Sequence, residues 1–295
     1  MDLELSDDQF ALRDGIASML AARVTMERVR AGFDRAMFDE LAGAGVFSLR
    51  TDGFSWSDCV VVFEQLGSAC VPGPLVPSLL AADGRITGVL AGEWVEHLDA
   101  LDRVVIPGVG FYAAERLAAV PSPWPLDPCT PVARVERAPT DIVPLDIDWT
   151  VWRRAGAVLT AALQLGLSDR LTDMTVAYAK ERTQFDRPIG GFQAIKHLCA
   201  DMLVRTEVAR AAVYAAGAHL DDPDALPDIE RAISTAKLLA GEAAIANGKT
   251  ATQVHGGMGF TWEVDVHLYL KRAWVLDTHF GSSDTHADAV AAALA

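Results

Sequence analysis

Two cations and two adjacent glycines lie close together in residues 182–193. The segment reads Arg182-Thr183-Gln184-Phe185-Asp186-Arg187-Pro188-Ile189-Gly190-Gly191-Phe192-Gln193. The arginines supply positive charge, the glycines free the backbone, and the amides that open a helix near Phe192 can receive an anion. Such a segment can hold a pyrophosphate. An ordinary loop between helices, with its arginines paired to nearby acids, has the same composition and remains an alternative.

A second segment, residues 253–263, has three glycines within four positions. It reads Gln253-Val254-His255-Gly256-Gly257-Met258-Gly259-Phe260-Thr261-Trp262-Glu263. Glycine lets a backbone approach a ligand closely, and the Gln253 amide can hydrogen-bond a ribose or phosphate oxygen. The alternative interpretation is a helix C-cap followed by a turn.

The chain as a whole is acidic. Its 295 residues include 25 lysines and arginines against 40 aspartates and glutamates, which gives a net charge of −15. This charge provides no general attraction for nucleic acid or for anionic membranes, so we expect neither as a partner. An anionic ligand therefore needs a local basic pocket.

Neither a membrane span nor a metal centre is expected. The chain has no run of about eighteen apolar residues, and its N-terminus lacks the basic and then apolar pattern of a secretory signal. The four cysteines, at positions 59, 70, 129 and 199, include no CxxC pair, which argues against a disulfide framework or a zinc site. We expect a soluble cytoplasmic protein without a metal.

The elements that must position the two segments fall into three regions, and the first, residues 1–103, is predicted to be helical. Ser6 and Gln9 form a possible capping box for the first helix. Further helices are expected over residues 35–44 and 57–67, and a short apolar segment over residues 78–82.

Residues 104–147 are predicted to form a reduced β or irregular middle region. Val104-Val105-Ile106 is a β-type run, and residues 132–136 alternate. Eight prolines between positions 107 and 144 forbid a long helix here. The region is too short for a complete independent barrel.

Residues 148–295 return to a helical period and contain both segments. One apolar stripe consists of Leu163, Leu167, Leu171, Met174 and Tyr178, and a second of Ile195, Cys199, Met202, Ala209 and Val213. Asp228 is a natural N-cap for the helix that follows it. The predicted fold class is mainly α, with an N-terminal helical domain, a truncated β middle region and a C-terminal four-helix bundle.

In this order and about seventy residues apart, the two segments closely resemble those of the acyl-CoA dehydrogenase family. The helical, β, helical order is also that family's order. The resemblance implies that Arg182, Gln184, Phe185 and Gln193 contact FAD bound with one subunit. It implies further that Gln253, Gly256 and Gly257 meet FAD shared with the facing subunit. Residues 266–273 resemble the helix that follows the glycine turn in the family.

The resemblance fails at the catalytic base. Family members remove the α proton of an acyl-CoA with a glutamate while the flavin accepts the β hydride. That glutamate lies in a tyrosine-glutamate-glycine-threonine stretch, which here reads His279-Phe280-Gly281-Ser282, so Phe280 occupies the base position. Ser282 stands at the threonine position and is counted among the candidate FAD contacts. Other members carry the base on the helix before the arginine loop, but residues 154–157, Arg-Ala-Gly-Ala, contain no carboxylate.

The middle region departs from the family as well. It is less than half the usual length and lacks the threonine- and serine-bearing loops that pack on the flavin ring. The chain therefore resembles the short subunit of actinobacterial α2β2 acyl-CoA dehydrogenases that act on steroid side chains. That resemblance implies a longer partner subunit that supplies the glutamate, a CoA thioester as substrate and an electron-transfer flavoprotein as acceptor.

Two other interpretations remain open. In one, the chain is a homo-oligomeric dehydrogenase with a displaced base such as His279 or Asp277. In the other, it is a helical scaffold that binds a partner without flavin. Function has to be decided at the site and not from the fold.

Overall fold

The computed structural model describes residues 4–137, 140–224 and 228–294. Within these ranges the helices are α1 Asp7–Arg23, α2 Met26–Arg30, α3 Arg35–Gly43, α4 Trp56–Ser68, α5 Leu75–Ala81, α6 Trp149–Glu181, α7 Gln193–Asp221, α8 Ile229–His255, α9 Val266–Asp277 and α10 Ser283–Leu294. The strands are β1 Thr87–Val89, β2 Trp94–Glu96, β3 Arg103–Ile106, β4 Gly110–Ala113, β5 Ala118–Pro121, β6 Val132–Arg137, β7 Val143–Pro144, β8 Thr183–Gln184 and β9 Arg187–Pro188. The predicted mainly α order of helices, short strands and helices is confirmed.

The chain divides into two compact units. One comprises Met1–Ala21, Trp56–Cys70 and Ala157–Ala295, and the other comprises Ala22–Ser55 and Val71–Gly156. The division into domains at residues 103 and 147 stays a prediction. None of the helices in the described ranges is both long and apolar enough to cross a membrane.

The second unit contains seven of the strands in two small sheets. One sheet has the order β1-β3-β4-β7 and the other the order β2-β6-β5. Only the β1–β3 pair is parallel among these pairs. Their core consists of Val95, Val104, Tyr112, Ala114 and Ala133. Strands β1 and β2 precede residue 104, in the stretch predicted to be helical, and at three residues each they are too short to give an alternating pattern.

Several helix starts follow from local side-chain capping. The Ser6 hydroxyl accepts a hydrogen bond from Gln9 N at 3.2 Å, and the Gln9 side chain accepts one from Ser6 N at 3.1 Å. This is the predicted capping box. Asp228 accepts from Arg231 N at 3.0 Å at the start of α8, which confirms its role as an N-cap.

Helices α4 and α6 of the first unit approach each other at backbone distance. A Cβ on Gly67 would overlap the Leu163 carbonyl oxygen of α6, and a Cβ on Gly166 would overlap the Glu64 carbonyl oxygen of α4. The two glycines therefore allow a contact that no other residue type permits at these positions.

A buried polar cluster around Asn247 joins α6, α7 and α8. The Asn247 side-chain nitrogen donates to Ser168 Oγ at 2.8 Å and lies 3.0 Å from Met202 O and 3.1 Å from Thr206 Oγ1. Its side-chain oxygen accepts from Arg205 at 2.8 Å. Because a fully buried amide must find its partners inside the protein, this cluster fixes the register of the three helices.

The substitution Asn247→Ala tests this role. It leaves the acceptors on α6 and α7 without their donor, so we expect the free energy of unfolding to fall by about 3 kcal/mol. Thr250→Ala is the control, because the Thr250 hydroxyl bonds only within α8, to Ala246 O at 2.9 Å among the contacts described. Urea denaturation of both variants measures the difference; equal stability losses would contradict a special role for Asn247.

Candidate functional site

The arginine segment forms a two-stranded hairpin between α6 and α7. Strands β8 and β9 pair Thr183 with Pro188 and Gln184 with Arg187. The two turn residues, Phe185 and Asp186, have φ angles of +53° and +59°, as in a type I′ turn. A positive φ is unusual for a bulky residue such as phenylalanine, and this ring is 84% exposed. Backbone strain of this kind, with the ring turned to solvent, is typical of a site that meets a ligand or another chain.

The two guanidinium groups of this hairpin are available to a ligand. Within the described ranges neither Arg182 nor Arg187 forms an ion pair with an acid. Arg187 instead lies 4.0 Å from the centroid of the Phe192 ring. The alternative of arginines neutralised by nearby acids therefore does not describe this segment.

The glycine segment turns sharply at the end of α8. Gly256 has φ +62° and ψ −138°, a conformation that essentially only glycine adopts. A Cβ on Gly259 would lie 2.6 Å from Thr252 O, so the chain itself requires a glycine there. By contrast, a Cβ on Gly256 or Gly257 would meet nothing within 4 Å. Gly257 has no neighbour in this chain that excludes a side chain, so its exposed backbone is free to receive a ligand.

A ring stack holds the two segments at the same end of the helical bundle. Tyr178, four residues before Arg182, stacks on His255, two residues after Gln253, with ring centroids 4.1 Å apart and an interplanar angle of 20°. His255 is buried, burial lowers its pKa, and its Nδ1 lies 2.8 Å from Ala251 O. The neutral imidazole therefore donates from Nδ1 to this carbonyl and stays fixed against Tyr178.

The remaining predicted contacts are divided between two places. Gln184 and Gln253 are exposed on the two segments, and Gln193 is exposed as the first residue of α7, directly after the hairpin. Ser282 lies beyond the other end of α9, a helix of 12 residues that spans about 18 Å. Its hydroxyl accepts from Thr285 N at 3.2 Å and caps α10. Seven of the eight predicted FAD contacts therefore lie at one end of the bundle. The eighth, Ser282, lies apart from them.

The turn at residues 279–282, where the resemblance places the base, is held rigidly although it carries no carboxylate. Phe280 has φ +54° and Gly281 φ +107°. The Phe280 carbonyl can only accept, so His286 Nε2, at 3.1 Å, carries a proton and donates to it. His286 Nδ1 lies 3.1 Å from Ser234 Oγ, and burial lowers the pKa of the imidazole. A Cβ on Gly281 would lie 2.6 Å from His286 Nε2, so the glycine is needed for this contact.

A buried lysine supports the same turn from α8. Lys237 Nζ donates to the carbonyl oxygens of Leu276 and Asp277 at 3.3 and 3.2 Å, where α9 ends. Burial lowers the pKa of Lys237 to about 8. The Asp277 carboxylate accepts from Ser283 Oγ at 2.5 Å. Asp277 is therefore engaged in holding the turn, which weakens its case as a displaced base.

Gln164 on α6 adds a third buried polar group near this turn. The side chain is fully buried, and neither atom of its amide has a hydrogen-bond partner within the described ranges. Its nitrogen lies 3.3 Å from the position of a Cβ on Gly241, and the Asp277 and Ser283 oxygens each lie 2.9 Å from that point. The sequence alone does not indicate these three residues, because Lys237 bonds Leu276 39 positions away, His286 bonds Ser234 52 positions away, and Gln164 is placed by packing.

Comparison with known proteins assigns the chain to a family. The profile of the acyl-CoA dehydrogenase C-terminal domain matches residues 154–295. Acyl-CoA dehydrogenase IpdE2 of Mycobacterium tuberculosis is 34% identical over 301 residues, which cover 90% of this chain and 91% of that protein. The chain belongs to the acyl-CoA dehydrogenase family.

Other known proteins are similar to this chain in sequence or in fold. FadE34 of Mycobacterium tuberculosis is 30% identical over 335 residues, which cover 95% of this chain but 47% of FadE34. A chain of the ChsE4-ChsE5 complex from Mycobacterium tuberculosis has a TM-score of 0.82 at 20% identity, with 100% of this chain and 99% of that chain covered. A chain of the Tcur3481-Tcur3483 steroid acyl-CoA dehydrogenase has a TM-score of 0.83 at 20% identity, with 98% of both covered. The acyl-CoA dehydrogenase fold is confirmed.

Substitutions at two neighbouring glycines separate ligand binding from folding. In Gly257→Ala the new Cβ meets no atom of the chain, so we expect unchanged stability and an FAD affinity lowered about tenfold. In Gly259→Ala the Cβ collides with backbone, so we expect the free energy of unfolding to fall by about 1 to 3 kcal/mol. Thermal unfolding and FAD titration distinguish the two. A Gly257→Ala protein with normal FAD affinity would contradict the prediction that the Gly257 backbone contacts FAD.

Proposed function

We propose that this chain is the FAD-binding subunit, without a base of its own, of a heteromeric acyl-CoA dehydrogenase that forms an α,β double bond in a CoA thioester. The observation that carries the proposal is that the arginine segment and the open glycine backbone lie at one bundle end, while Phe280 occupies the base position. A longer acyl-CoA dehydrogenase subunit, in an α2β2 assembly, supplies the glutamate.

The residues present fit the nucleotide end of FAD. Arg182 and Arg187 offer two guanidinium groups that no acid of the described ranges neutralises. The backbone at Gly256 and Gly257 is open, and Gln253 stands exposed one helical turn before it. Cationic side chains and open backbone amides are the groups that bind a pyrophosphate. When bound, FAD supplies the acceptor for the substrate hydride.

The chain's own part in the reaction is then to hold and orient the cofactor. Arg182 neutralises the pyrophosphate, and Tyr178 and His255 keep the hairpin level with the glycine turn. The turn at residues 279–282 has Phe280 at the base position and contains no carboxylate. Asp277 accepts a hydrogen bond from Ser283, and residues 154–157 lie in α6 without a carboxylate. The displaced-base alternative is then left with His279 as its candidate. Removal of the α proton is therefore assigned to the partner subunit.

Substrate and acceptor follow from the relatives and from electron balance. The similarity in fold to the Tcur3481-Tcur3483 steroid acyl-CoA dehydrogenase supports a steroid side-chain CoA thioester. The similarity to a chain of the ChsE4-ChsE5 complex supports an assembly of unlike subunits. FAD held by these residues would supply the two-electron acceptor for the substrate hydride, so a further electron acceptor would be needed, and we assign this role to an electron-transfer flavoprotein.

Arg182→Ala tests the nucleotide grip in the assembled complex. It removes a charge-assisted contact worth about 1.5 to 3 kcal/mol, so FAD affinity should fall about tenfold to a hundredfold. Arg35→Ala is the control, since the exposed Arg35 pairs with Asp39 on α3 and lies outside the site. Flavin retained per complex after dialysis, read from the absorbance spectrum, gives the result. A normal flavin content in Arg182→Ala would favour the alternative in which this chain is a scaffold that holds no flavin and the flavin of the complex is bound by the partner.

Phe280→Ala tests the assignment of the base to the partner. The change removes a ring and no proton acceptor, so turnover of the assembled complex should stay within about threefold, a barrier change of about 0.7 kcal/mol at most. The matched variant is glutamate to glutamine at the partner's base, which should lower turnover by several orders of magnitude. Loss of turnover in Phe280→Ala, with assembly and flavin intact, would show that this chain takes part in the chemistry.

A further inference from the structure

Three exposed aromatic side chains belong to the arginine segment and the glycine segment. Phe185 is 84% exposed, Phe260 80% and Trp262 58%. Exposed aromatic groups in one region mark a ligand or partner site more often than chance. Phe185 belongs to the hairpin already described, whereas Phe260 and Trp262 follow the glycine turn and have no assigned role.

Of the two residues after the turn, Trp262 is held in place. The indole meets the His267 ring edge to face, with centroids 4.9 Å apart and an angle of 83°. Lys271 Nζ lies 5.5 Å from the indole centroid. His267 and Lys271 are four residues apart on α9, so one helix face fixes the ring. The preceding Thr261 is tied back to Met258 O by its amide and its hydroxyl, both at 2.9 Å.

This arrangement leaves a rigid aromatic surface within reach of the glycine turn. Trp262 follows Gly257 by five positions, of which the 3₁₀ turn Gly256–Phe260 takes the first three. Five residues of fully extended chain span about 17 Å, which is therefore the upper limit on the distance between the two Cα atoms. The adenine and the pyrophosphate of one dinucleotide lie within such a distance of each other. A ring that is ordered before binding loses little entropy when it stacks on a base.

We propose that Trp262 stacks on the adenine ring of the dinucleotide whose pyrophosphate the arginine and glycine segments hold, with His267 and Lys271 orienting the indole. The inference rests on the proposed function. Stacking of a base on an aromatic side chain is worth about 1 to 3 kcal/mol and suits a partly exposed indole. The ammonium group of Lys271 also adds positive charge beside the indole.

The test compares Trp262→Leu and Trp262→Phe in the assembled complex after removal of flavin, with FAD, ADP and FMN as probes. Leucine keeps apolar bulk without an aromatic face, and phenylalanine keeps a face. Trp262→Leu should weaken FAD and ADP about tenfold and leave FMN, which has no adenine, within about twofold; Trp262→Phe should weaken ADP about threefold at most. Trp124→Leu is the control, because Trp124 is 89% exposed and lies in the other unit.

The outcomes separate this inference from the proposed function. If Arg182→Ala weakens FAD but Trp262→Leu leaves ADP affinity unchanged, the adenine assignment is overturned and the nucleotide grip stands. If Trp262→Leu weakens FMN as much as FAD, the effect is not on adenine and the inference fails. If it shifts the native mass of the complex while ADP affinity is normal, Trp262 belongs to a subunit contact, which also overturns the inference. Normal FAD affinity in Arg182→Ala would contradict the proposed function, in which this chain binds FAD.

Discussion

The site depends on one buried hydrogen-bonding cluster, in which the Asn247 amide joins three helices. Its nitrogen reaches Ser168 on α6 and the Met202 carbonyl of α7, at 2.8 and 3.0 Å. A buried polar group is costly without partners, and these partners meet at one register only. The end of α6 and the end of α8 are therefore level, which is why Tyr178 can stack on His255. Without that alignment the arginine hairpin and the glycine turn would be separate surface features.

The second constraint acts at the other end of α9, where a left-handed turn is built without the acid that the family places there. His286 and Lys237 hold the carbonyl oxygens of Phe280, Leu276 and Asp277, and both are buried groups whose pKa is lowered by burial. A turn fixed this firmly keeps its shape whether or not residue 280 can accept a proton. The chain thus combines two segments suited to a nucleotide with a rigid turn that has no carboxylate, and this combination is the physical basis for the proposal that another subunit removes the proton.

Much of this could be predicted from the sequence because its signals are local. The helical period, the Ser6 capping box and the Asp228 N-cap depend on residues within a few positions, and the two ligand segments are each continuous. Strands β1 and β2 were missed because three residues carry no usable alternation. The roles of Asn247 and His286 have no local signal, because Asn247 bonds Ser168 79 positions away and His286 bonds Ser234 52 positions away. Gln164 is placed by packing alone. The positive φ of Phe185 was missed too, since phenylalanine rarely adopts it.

The most direct measurement follows the α hydrogen of the substrate. The purified chain alone, loaded with FAD, is incubated in deuterium oxide with an acyl-CoA that the assembled complex oxidises, and deuterium at the α carbon is counted by mass spectrometry. If the partner subunit supplies the base, the single chain shows no exchange above the uncatalysed rate, and the complex removes the α hydrogen rapidly. Exchange catalysed by the single chain would contradict this assignment, because the chain would then contain its own base.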